Sequence, residues 1–165
     1  MTPPLEGAYV VIDNGRVSEI ARRAPAGAAV EDLGDALLIP GLVNAHCHLE
    51  FSDLKKPIGK PGNPLPAWIR SILTGRLTAK KVEKGIATGL AASAEAGVTT
   101  IGEICRLPSR GYLGGRMMPR VALMQESIGF SQARSQSALT AAKKALAELD
   151  ALVQEAPAGR LSVGV

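Results

Sequence analysis

Apolar and polar residues alternate weakly along residues 8–13, AYVVID, and the pattern resumes along 16–20, RVSEI. That period of two predicts a pair of short strands. Asn14-Gly15 between them is a strong hairpin signal, because both residues tolerate positive φ. The Ala/Pro/Gly stretch 24–29 predicts a loop, and Val30 to Leu33 predicts one more short strand. Leu37, Leu38 and Ile39 then open an apolar run that turns at Pro40-Gly41, resumes with Leu42 and Val43, and ends on His46-Cys47-His48. The Gly- and Pro-rich region from Pro57 to Pro66 follows. It is long for a compact connection, and such loops in enzymes often form lids or walls over substrate.

Beyond it the apolar period lengthens to that of helices. Pro66 suits a helical first turn, with Trp68, Ile69, Ile72 and Leu73 on one face. Thr78 predicts an N-cap for a helix reaching about Ala96, in which Val82, Ile86, Leu90 and Ala94 recur at spacing four and Gly97 marks the stop. Val98 to Ile104, VTTIGEI, reads as a buried parallel strand with Glu103 near its carboxyl end, better placed to cap a loop than to face a site. Leu107 to Met118 reads as loop, with Gly114-Gly115 allowing a sharp turn, and Arg120 to Glu126 as the next strand, ending on the polar Gln125 and Glu126. From Ser135 or Ser137 the positions Leu139, Ala142, Leu146, Leu149 and Val153 trace an amphipathic helix that Pro157 and Gly159 end. Arg160 to Val165 begins another apolar strand. This order of strands and helices indicates βα units on a parallel sheet.

Composition narrows the function classes. At 165 residues and 46% hydrophobic the chain is long enough for a domain with a real core. Aromatics at 3% argue against a base-stacking nucleic-acid surface, and the net charge of +4 is dispersed among acids rather than gathered in a patch. Cys47 and Cys105 are too few for a disulfide framework. The start Met1-Thr2-Pro3-Pro4 lacks a basic-then-apolar leader, and no apolar stretch approaches the roughly 20 residues of a membrane helix. A cytoplasmic protein with neither nucleic acid nor membrane as partner is the expectation.

His46 and His48 are the only histidines. In an extended strand residues i and i+2 project from one face, so both imidazoles can reach one ion. Imidazole is the commonest metal ligand and suits zinc, iron and nickel. On spacing alone a His-x-His is a weak signal, since satisfied core or surface histidines are the usual case. Context strengthens it: a Pro-Gly bend, the small residues Asn44-Ala45, and the carboxylates of Glu50 and Asp53 nearby. Cys47 between the histidines points to the opposite face by alternation and reads as a packing residue rather than a third ligand.

PGLVNAHCHLE resembles the first-strand signature of the amidohydrolase superfamily, PGxxxxHxH, and is most similar to its cytosine-, guanine- and aminofutalosine-deaminase-like branch. The helix–Gly–Val-Thr-Thr–strand passage around Gly97 also matches that superfamily, as its second barrel strand. The resemblance implies an α/β fold: about the first four strands of a TIM (β/α)8 barrel over residues 37–165, preceded by part of a small flanking β-sandwich over 1–36. It implies a metal-dependent hydrolase of C–N bonds other than peptide bonds, deaminating an aminated heterocycle or nucleoside through activated water. His46 and His48 would hold one divalent metal, zinc by default and iron(II) as the other candidate. Glu50, Gln125 and Trp68 are candidate substrate contacts, Trp68 reading first as a core anchor and second as a pocket wall.

The same resemblance implies residues that this chain lacks. Its further metal ligands and proton shuttles, a His and Glu of the fifth strand, a His of the sixth and an Asp of the eighth, have no counterpart here, so no catalytic acid or base is assigned. Covering nearly all of the chain but under half of the implied enzyme, the resemblance describes an incomplete unit expected to be inactive alone and to self-associate through open barrel edges. Cyclic-amide or C–Cl hydrolysis on the same scaffold is the enzymatic alternative, and a non-catalytic fragment or interaction module the alternative from another class.

Overall fold

The computed structural model describes residues 3–75, 77–115, 118–128 and 131–164. Val165, the end of the last predicted strand, and Arg116-Met117 of the predicted loop lie outside the described residues. Contacts divide the chain into two compact units, Met1–Ile39 and Pro40–Val165.

The first unit is a hairpin. Strand β1 (Tyr9–Asp13) pairs antiparallel with β2 (Arg16–Ala21). Asn14 and Gly15 turn between them with φ of 49° and 72°, the positive values that a tight two-residue turn requires. The strand expected at Val30 to Leu33 does not form. Asp32 instead accepts the Gly34 amide at 2.8 Å, and Gly34 takes a φ of 65°, so a local side-chain turn replaces the ladder.

The second unit holds a four-stranded parallel sheet in sequence order: β3 (Leu42–Cys47), β4 (Val98–Cys105), β5 (Arg120–Gln125) and β6 (Leu161–Gly164). Leu37, Leu38 and Ile39, expected to open the strand, lie outside it and are exposed. Between β3 and β4 run helices α1 (Leu65–Thr74) and α2 (Ala79–Glu95), and between β5 and β6 runs α3 (Gln132–Glu155). Helix α2 starts where its sequence predicts, with the Thr78 hydroxyl accepting the Lys81 amide, and Gly97 leaves it at a φ of 77°.

Two helices depart from expectation. Helix α3 begins at Gln132, capped by Ser131, because Ser135 and Ser137 do not cap. Their hydroxyls donate back to the Gln132 and Arg134 carbonyls, which satisfies them inside the first turns. Helix α1 buries none of its residues, and Trp68 is 40% exposed. Trp68 is therefore not a core anchor: its indole N–H donates to the Ile58 carbonyl at 2.9 Å and ties α1 to the preceding loop.

Strand alternation gives the sheet two chemically different faces. Ile101, Glu103 and Cys105 of β4 stand level with Val121, Leu123 and Gln125 of β5. All of these but Gln125, which is half-buried, are fully buried, and the apolar ones join Val82, Ile86 and Leu90 of α2 and Leu149 and Leu152 of α3 in one core. Gly102, Ile104, Ala122 and Met124 belong to the opposite face. Gly102 is required there, because a Cβ would run into the Ala45 carbonyl of β3.

Candidate functional site

The carboxyl end of β3 carries the histidine pair. Cys47 stands level with Glu103, and its thiol donates to Glu103 Oε2 at 3.3 Å, on the side of the sheet that the helices cover. Burial, with the Glu103 carboxylate adding to it, pushes the thiol pKa up to about 12. The thiol is thus engaged by Glu103, which suits a packing role.

His46 and His48 flank it. Their ring centroids lie 5.6 Å apart with the planes at 71°, His46 exposed and His48 half-buried against Phe51 at 5.9 Å. His48 Nδ1 is buried without a hydrogen-bond partner among the described residues. A buried nitrogen left unpaired is costly, and a cation or a proton-bearing ligand relieves that cost. Two imidazoles at this separation fit zinc or iron(II). Among the described residues no three His, Cys, Asp or Glu side chains gather as a metal cluster, so the pair is at most part of a donor set.

Behind the pair lies a buried polar cluster. Leu49 N donates to both oxygens of Glu103, at 3.0 and 2.9 Å, and the Tyr112 hydroxyl donates to Oε1 at 3.0 Å. Tyr112 comes from a short 3-10 turn, Arg110–Leu113, inside the region read from sequence as loop. Burial pushes the Glu103 carboxyl up to about 7 against the opposing pull of the Leu49, Cys47 and Tyr112 hydrogen bonds. Burial raises the Tyr112 hydroxyl well above its ordinary value and moves the Cys105 thiol up to about 11. The turn Leu49–Phe51 also presses on α2 at two glycines. A Cβ at Gly85 would meet the Glu50 carbonyl, and one at Gly89 would meet the Ser52 hydroxyl and the Leu49 side chain.

The candidate substrate contacts fall in different places. Glu50 is 4% exposed and closes onto Arg106, Oε1 to Nε at 2.6 Å, with the guanidinium 5.3 Å above the Phe51 ring. Gln125 Nε2 donates to the Arg106 and Glu126 carbonyls at 3.2 and 2.8 Å, which ties it to the backbone where β4 and β5 end. Trp68 stands on α1, bonded to Ile58. Asp53 pairs with Lys84 at 2.8 Å, and that hydrogen bond holds its carboxyl below the usual range. Glu50 therefore shares the turn that follows the histidines, while Gln125 meets it only through Arg106. Arg106 and Tyr112 had no signal in the sequence, being a lone arginine after a strand and a lone tyrosine in a glycine-rich stretch.

Glu103 makes stability depend on pH with a definite sign. Its ordinary value of 4.5 rises to about 7 on folding, so the folded chain holds a proton that the unfolded chain has released. The contribution is complete below about pH 4.5 and declines as pH rises through about 7, by on the order of 3 kcal/mol. Urea midpoints at pH 5 and pH 8 should show that fall in the wild type and a much smaller one in Glu103→Gln.

With this geometry in place, comparison with known proteins is specific. The chain is 32% identical over 125 residues to a 5-methylthioadenosine/S-adenosylhomocysteine deaminase of Pyrococcus furiosus, an alignment covering 66% of this chain and 29% of that protein. A protein of the same name from Nitratidesulfovibrio vulgaris is 32% identical over 113 residues, 61% of this chain and 24% of the relative. The matched region is thus under a third of the length of either relative. A family profile described as the Amidohydrolase family matches residues 37–152, which run from the apolar residues before β3 through the histidine pair and the Glu103 cluster into α3. On that match over most of its length, the chain belongs to the amidohydrolase family.

Proposed function

We propose that His46 and His48 are two ligands of one divalent metal, zinc by default and iron(II) as the other candidate, in a hydrolase that removes an amino group from a heterocycle. The observation that carries this reading is the pairing of two imidazoles, 5.6 Å apart, at the carboxyl end of a parallel strand. Ligands of α/β barrels and open α/β sheets gather at that end of their strands. The names of the relatives favour an adenine nucleoside bearing a thioether on its ribose as substrate. In this reading the four parallel strands are the first part of a (β/α)8 barrel, and residues 1–36 are part of a flanking β-sandwich. The remaining ligands and the proton shuttle belong to further strands of a longer polypeptide. The protein is cytoplasmic, and its partner is a small molecule.

The chemistry is an addition followed by an elimination. Water adds to the ring carbon bearing the amino group, the C–N bond breaks, and ammonia leaves. His46 and His48 would hold a divalent ion, which would supply the Lewis acidity for activating water at neutral pH. The chain's own part is to present two imidazoles on a fixed turn. It also ties the Cys47 thiol to Glu103.

The test is ammonia release from 5′-methylthioadenosine by the zinc-loaded full-length protein, with chelation abolishing it and added zinc restoring it. Metal binding without release of ammonia from adenine nucleosides would reject the deaminase reading and keep the metal site.

A further inference from the structure

We propose that Glu103 is the positioning residue of the histidine pair, setting the His48 ring by bonding the Cys47 thiol before it and the Leu49 amide after it. The inference rests on the reading of His46 and His48 as metal ligands. The side chain before His48, that of Cys47, donates to Glu103 Oε2, and the amide after it, that of Leu49, donates to both carboxylate oxygens. His48 is thus bracketed by two hydrogen-bonded neighbours that converge on one side chain. Glu103 lies on the covered face of β4, completely buried, and reaches the turn from behind. Tyr112 fixes the carboxylate from a third direction at 3.0 Å. The turn also packs against α2, where a Cβ at Gly85 or Gly89 would run into it.

The cost of this arrangement argues that it is retained for more than packing. All three groups that donate to the carboxylate are neutral, and among the described residues no Lys, Arg or His forms an ion pair with it. Burying a carboxylate this way is expensive, and an apolar residue would fill the same space at lower cost. What an apolar residue would not do is fix the Leu49 amide. Residues that orient metal-bound histidines from behind typically contribute about 10–100-fold to metal affinity.

The experiment compares wild type, Glu103→Ala, Glu103→Gln and His46→Ala/His48→Ala in the full-length protein. Zinc affinity, exchange of the Leu49 amide and the nuclear Overhauser contact between the two imidazoles in metal-free protein are the readouts. Glu103→Ala should weaken zinc binding about 10–100-fold, speed Leu49 exchange at least about 10-fold and weaken the ring-to-ring contact. Glu103→Gln, which keeps an acceptor for the amide, should recover most of each. Leu149→Ala, a core change on α3, should lower stability without moving zinc affinity or the ring contact. If Glu103→Ala does not fold, Tyr112→Phe removes one hydroxyl and should shift the same readouts in the same direction by a smaller factor. Wild-type affinity and ring contact in Glu103→Ala, with zinc lost in the double histidine variant, would overturn the positioning role and leave the metal reading intact. If wild type binds no zinc, the metal reading fails, and the metal-free exchange and ring contact still decide whether Glu103 sets the turn.

Discussion

Replacing His46 and His48 together by alanine in the full-length protein is expected to abolish bound zinc and to lower turnover by at least about 10⁴-fold while leaving the fold intact. The activity estimate follows from the nucleophile. Coordination would bring the pKa of water down to about 7, so losing the ion would remove most of the reactive nucleophile at neutral pH, and a fall of roughly 10⁴-fold is a conservative bound. The stability estimate follows from exposure. His46 is exposed and His48 only half-buried, and His48 Nδ1 has no partner among the described residues. Alanine there removes an unsatisfied nitrogen and little packing, so the unfolding free energy should change by less than about 1 kcal/mol. Metal analysis, turnover and urea denaturation of the same preparation measure all three. A large stability loss with metal retained would mean that the imidazoles serve packing.

Glu50 should behave in the opposite way. Its carboxylate is buried and pairs with Arg106 at 2.6 Å, and the Arg106 side chain is itself only 20% exposed. Breaking such a pair from one side leaves a nearly buried guanidinium without its anion, which costs about 3–5 kcal/mol for fully buried pairs. Because Arg106 keeps some access to water, Glu50→Ala is expected near the lower end, about 3 kcal/mol, or roughly a 10 °C drop in Tm for a unit of this size. Adding Arg106→Met should recover part of the loss, because the stranded charge is then gone. A variant with unchanged Tm but a raised KM would instead make Glu50 a substrate contact, the role its place beside the histidines suggests in the sequence.

The hairpin at Asn14-Gly15, the capped helix from Thr78 to Gly97 and the β-branched strand after it were legible because their signals are local: a turn dipeptide, a hydroxyl cap, a period. Val30 to Leu33 misled because two apolar residues around Glu31-Asp32 look like a strand, while Asp32 has a better bond to make with the Gly34 amide. Trp68 misled because an amphipathic stripe shows which face of α1 is apolar and says nothing of whether another element lies against it. At the site, two-residue alternation placed the two histidines on one face, and the surrounding PGLVNAHCHLE pattern made them ligand candidates. The groups behind it were not. Glu103 reaches Leu49 across 54 positions and Arg106 reaches Glu50 across 56, so those contacts exist only once β3 and β4 are in register.

Zinc X-ray absorption on the loaded full-length protein tests the central claim most directly. The account predicts nitrogen scattering at about 2.0–2.1 Å with the outer-shell pattern of at least two imidazoles, reduced in His46→Ala and in His48→Ala separately. A zinc environment without imidazole scattering, or one unchanged by either substitution, would contradict it.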